Sequence, residues 1–105
     1  MIVIEEKMQG EISMQNYQYP IEIDWTHDEM NKVIMLWNAV ESAYENEVNR
    51  EEFLKRYRSF KEVVPSKGEE KRYGSMFEKE TGYSLYQVVK LASNTDNRTI
   101  KMKRK

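Results

Sequence analysis

One local pattern limits this chain more than any other: a helix-capping residue followed three positions later by Glu or Gln. It occurs at Thr26–Glu29, Asn49–Glu52, Ser66–Glu69 and Ser84–Gln87. In such a pair the capping side chain accepts from the backbone N–H three residues on, and the Glu or Gln reaches back to the cap. Three of the caps also carry the hydrophobic staple, an apolar residue before the cap facing one a turn beyond it: Trp25 with Met30, Val48 with Phe53, and Tyr83 with Val88. The chain therefore announces four helix starts.

The stretches behind the caps have helical periodicity. Met30, Val33, Ile34, Trp37, Val40 and Tyr44 recur at three- and four-residue steps, as do Phe53, Leu54, Tyr57, Phe60 and Val64. Pro65 disfavours helix at Val64 and ends the second segment. Tyr73, Met76 and Phe77 are the apolar positions of the third, which Thr81-Gly82 stops with a left-handed glycine. Val88, Val89 and Ala92 serve the fourth, with Leu85 beside them. Gly74 is out of place in mid-helix, where it costs about 1 kcal/mol relative to alanine. A close helix crossing or a break would account for it.

The expected fold is all-α, a compact irregular array of four helices with an extended N-terminal arm. In "YQYPIEIDW" apolar and polar residues alternate, but Pro20 suits no central strand. Tyr17, Ile21, Ile23 and Trp25 are the expected anchors of the arm. Three parts are expected: an extension over 1–13, a helical domain over 14–92 and a basic flexible tail over 93–105. Codons for Gln9-Gly10-Glu11 can contain AAGGAG, a ribosome-binding sequence, which would make Met14 the natural start and residues 1–13 an upstream-start artefact. After Ser93 the chain turns polar, with five basic residues against Asp96, and fraying is expected.

At 105 residues the chain suits one small domain. Its net charge of −1 argues against a general nucleic-acid binder. With no cysteine, no apolar run of membrane-spanning length and no signal-peptide pattern, the expected location is the cytoplasm and no membrane is involved.

Little in the chain reads as chemistry. His27 is the only histidine, there is no cysteine, and no Ser/His/Asp or Cys/His set can be assembled. No metal-ligand spacing and no glycine-rich phosphate loop occurs. The acidic pairs Asp28-Glu29, Glu51-Glu52 and Glu69-Glu70 fall in first helical turns, where negative charge favours the helix dipole. The expectation is a non-enzyme with no cofactor, no metal and no catalytic residue.

One constellation is left. Arg56, Arg58 and Lys61, with Lys67, Lys71 and Arg72, flank the Pro65 corner and interleave with Tyr57 and Tyr73. Such a patch can meet an acidic protein surface or nucleic acid. It can equally be a paired, solvated surface, with Glu51–Lys55, Glu52–Arg56 and Arg58–Glu62 four residues apart. The large side chains Trp25, Trp37, Met35 and Tyr86 exceed what a small core needs, so a protein partner or self-association is the first expectation. Weak nucleic-acid association through the corner and the basic tail is the alternative.

The segments "YPIEIDWTHDEM", "RYRSFKEVVPSKGEEKRYG" and "TGYSLYQVVK" resemble a small bacterial family of Bacillus and its relatives, the uncharacterised protein family 0223. The resemblance covers nearly all of residues 14–92 and is most distinctive around Val63 to Arg72. It implies a small all-helical fold and carries no assigned activity, so it transfers no catalytic or binding residue.

Overall fold

A computed structural model describes residues 2–5 and 18–103. Four helices dominate: α1 over His27–Glu45, α2 over Arg50–Val63, α3 over Lys67–Thr81 and α4 over Leu85–Ser93. Two short antiparallel ribbons accompany them. Strand β1, Ile2–Glu5, pairs with β2, Gln18–Ile21, in the register Ile2↔Ile21 to Glu5↔Gln18. Strand β3, Val48–Asn49, pairs with β4, Thr99–Ile100. The class is all-α.

Each helix begins at the residue the capping pattern marks. The side chains of Thr26, Asn49, Ser66 and Ser84 accept from the backbone N–H of Glu29, Glu52, Glu69 and Gln87. The full reciprocal box forms at α1, where the Thr26 N–H also donates to Glu29 Oε1 at 2.9 Å. At α2 the Glu52 carboxylate turns to Arg56 instead. Helix α3 ends at Gly82 in the left-handed conformation, φ 82°.

The core is centred on Trp37 of α1. Its ring stacks on Phe77 of α3, with centroids 4.5 Å apart, and meets Phe60 of α2 edge-on at 5.7 Å. One side chain thus locks three helices together. Val33, Leu36 and Val40 extend this core along α1, Phe53 joins it from α2 and Val88 from α4. The arm adds Tyr19 and Ile21, both fully buried, and Tyr19 donates to Asn38 Oδ1 at 2.7 Å. Trp25 packs edge-on against Tyr73. Ile23, an expected anchor, is instead 69% exposed, because it lies in the turn between β2 and α1. Tyr17 lies outside the described residues, as does most of the 1–13 extension.

Two further features differ from the sequence expectation. Helix α3 runs through Gly74 without a break, and a methyl group there would come no closer than 3.9 Å to Leu85 Cδ2. That is ordinary contact, so neither a break nor a tight crossing accounts for the glycine. The second feature is the segment after Ser93, which lies on the domain. Ile100 is buried, Met102 packs against the core, and the Met102 N–H donates to the Ala43 carbonyl at 2.7 Å. Arg50 clamps the same segment, with its N–H on the Arg98 carbonyl and its Nε on the Ala92 carbonyl, both at 2.8 Å. Lys101 and Lys103 alternate with these apolar residues and face water. The ladder covers only Thr99–Ile100, and beyond it the two-residue alternation of exposed and packed side chains continues through Lys103.

Candidate interaction surface

The Pro65 corner is held by a carboxylate. Glu70, in the first turns of α3, accepts from Lys61 Nζ at 2.6 Å and from the Tyr57 hydroxyl at 2.8 Å, both on α2. Burial raises the Tyr57 phenol above its ordinary pKa, and the hydrogen bond to Glu70 adds to the effect. Beside the corner, the Tyr73 hydroxyl donates to Glu22 Oε2 at 2.7 Å. That bond holds the Glu22 carboxyl below its usual value. Burial pushes Tyr73 up to about 12, with the Glu22 hydrogen bond as the second cause.

Of the six basic residues of the expected patch, Arg56, Lys61 and Arg72 have carboxylate partners. Arg56 donates to Glu52 Oε2 at 2.8 Å and to the Met35 carbonyl at 3.2 Å, so it ties α2 to α1. The same Arg56 hydrogen bond lowers the pKa of Glu52. Lys61 is engaged with Glu70. Arg72 lies over the Tyr73 ring at 4.7 Å, within 3.9 Å of both Glu22 and Glu69. Arg58 is exposed and lines a hollow with Asn49 and Lys55 at the start of α2. Its expected partner Glu62 pairs with Lys32 of α1 at 3.1 Å. Lys67 and Lys71 share one concave surface.

That surface is a cleft of about 250 Å³ between α3 and the start of α4. Lys67, Lys71, Gly74, Ser75 and Glu78 border it from α3, and Tyr86 from α4. A larger hollow of about 850 Å³ adjoins it, reaching Tyr44, Gln87 and Met102. Tyr86 is 67% exposed and lines both hollows, together with Glu78 and Ser84. Its position is set from below. The Ser84 N–H donates to the Tyr44 hydroxyl at 3.2 Å, Tyr83 donates to Glu45 Oε2 at 2.8 Å, and the Tyr44 and Tyr83 rings stack at 4.6 Å. The first turn of α4 is therefore pinned to α1, and Tyr86 projects from a fixed base. Sequence reading counts Tyr86 among the surplus aromatics. It misses Met102, whose only signal is its two-residue spacing from Ile100.

His27 is exposed at the first residue of α1. Among the described residues no group of three or more His, Asp or Glu side chains is arranged to hold a metal ion. No helix among them is long and apolar enough to cross a membrane.

Caps, corner and cleft together define a small all-α domain in which two ion pairs, Lys32–Glu62 and Lys61–Glu70, join helix to helix. The chain belongs to the uncharacterised protein family UPF0223, whose model matches residues 16–101. It is 50% identical to a UPF0223 protein of Bacillus pumilus over 84 residues, 80% of this chain and 94% of the relative. It is 49% identical to one of Listeria monocytogenes over 86 residues, 82% of this chain and 96% of the relative. A UPF0223 protein of Streptococcus sanguinis is 46% identical over 87 residues, 83% of this chain and 95% of the relative. The family match runs beyond residue 92 and takes in Ile100, consistent with that residue's place in the core.

Proposed function

We propose that the chain is a non-enzymatic cytoplasmic protein-interaction module, and that its contact surface is the face formed by α3 and the start of α4. The observation that carries this reading is Tyr86, a large ring left two-thirds exposed on a rigidly anchored helix turn and lining two hollows. Exposing such a ring to water forgoes the hydrophobic gain of burying it. Tyrosine is also enriched among the residues that dominate binding energy at protein interfaces. The Pro65 corner is a weaker candidate, since Arg56, Lys61 and Arg72 are already engaged by acids.

The test is affinity purification at native expression level, with and without nuclease, of the wild-type chain and Tyr86→Ser. The substitution is exposed, so stability should change by less than about 0.5 kcal/mol. A protein retained after nuclease and lost with Tyr86→Ser supports the reading. A retained set that ignores the substitution sinks it.

The second reading is weak nucleic-acid association. It is favoured by the exposed Lys67 and Lys71 beside an exposed tyrosine ring, a pairing of phosphate contact with base stacking. Filter binding at low and moderate salt checks it, because affinity supplied by phosphates falls steeply with salt.

A further inference from the structure

Gly74 faces α4: a methyl group there would meet Leu85 Cδ2 at 3.9 Å, an ordinary contact. Alanine would fit there and would make a better helix, yet the position is glycine, followed by Ser75. Both small residues border the cleft, Gly74 half-buried on the side of Leu85 and Ser75 exposed.

The charges around these two residues are ordered. Lys71 and Glu78 are seven residues apart and so share one face of the helix. They lie at equal distances on either side of the midpoint between Gly74 and Ser75, each about 5 Å along the axis at 1.5 Å per residue. Turned end for end, Lys–Gly–Ser–Glu becomes Glu–Ser–Gly–Lys. Two antiparallel copies of α3 with a twofold axis at that midpoint therefore set each Lys71 against the other copy's Glu78. The same register brings Lys67 over the C-terminal end of the opposite α3 at Gly82, where unpaired carbonyls attract a cation. Small residues at the crossing allow the axes to approach closely. Tyr86, on the wall of the cleft, flanks the contact.

We propose that this face of α3 docks a second copy of the chain, forming a twofold-symmetric homodimer through Gly74 and Ser75 with reciprocal Lys71–Glu78 pairs. The proposal rests on the reading of this face as a docking surface and names its occupant. A single helix pair with its flanking turns is smaller than a standard interface, so the dimer is weak.

Sedimentation of the full chain across a concentration range tests it, with wild type, Lys71→Glu, Glu78→Lys and the double exchange. Both positions are exposed, and far-UV circular dichroism checks that all four fold. Wild type should show a concentration-dependent monomer–dimer equilibrium. Each single reversal should weaken it by at least about tenfold, since symmetry turns two attractive pairs into two repulsive ones. The double exchange should return it to within about threefold of wild type. A wild type monomeric to about 1 mM, or a double exchange no better than the singles, overturns the proposal. If wild type is monomeric while Tyr86-dependent capture of another protein persists, the dimer alone falls. If the charge exchange rescues dimerisation but no such capture occurs, the dimer stands and the broader reading falls.

Discussion

The Pro65 corner and the segment after Ser93 look alike on paper, both polar, basic and close to a helix end, yet they are ordered by different means. At the corner polar contacts add to the buried Val64: Lys61 and Tyr57 converge on Glu70, and Tyr73 reaches Glu22. After Ser93 the hold comes chiefly from two apolar side chains, Ile100 and Met102, with backbone hydrogen bonds closing round them. A basic stretch is thus loose or fixed according to what its few uncharged residues can reach, and net charge is a poor guide to either.

The sharpest way to break this contrast is to remove the apolar anchor. Ile100→Ala should lower unfolding free energy by about 3 kcal/mol in urea denaturation. It should do so equally at low and high salt. Glu70→Ala acts on the polar side. It leaves the Tyr57 hydroxyl without its carboxylate and should cost about 2 kcal/mol in the same measurement.

Alkaline pH separates the two regions without mutation. An ordinary tyrosine ionises near 10.0, whereas Tyr73 is held protonated to about 12 in the folded chain. The folded state keeps the proton more tightly, so the stabilisation is complete below pH 10 and is lost as pH rises through 12. Tyr57 titrates in the same direction. Stability should therefore fall across that window, less steeply in Tyr73→Phe, and denaturant midpoints at successive pH values read this directly. The smallest effect belongs to Lys67→Ala, which removes an exposed charge from the corner and should change stability by less than about 0.5 kcal/mol.

Much of the fold was legible because a cap is a local event. Thr26, Asn49, Ser66 and Ser84 bond to backbone three residues away, and a sequence window contains the whole interaction. The same holds for Gly82, whose left-handed turn needs no distant partner. The surface was less legible because its partners come from far along the chain. Arg72 finds Glu22, and Glu62 finds Lys32 in place of Arg58. Of the basic patch, folding gives Arg56, Lys61 and Arg72 carboxylate partners that composition alone does not reveal. Ile100 pairs with Val48 across half the chain, and a lone isoleucine between lysines and threonine gives no local hint of that. Tyr86 could be recognised as surplus, but only the placement of Ser84 against Tyr44 shows which way it stands.

The clamp that Arg50 places on the Arg98 and Ala92 carbonyls has a bearing on how the protein is made. The connection between the first two helices is complete only when residues translated some fifty positions later arrive. On the ribosome, then, the emerging helices can flicker into shape from their own caps, but cooperative closure must wait until Met102 has cleared the exit tunnel. Nascent chains extended by a C-terminal linker and stalled at successive lengths should gain protease resistance in one late step, with no gradual build-up helix by helix.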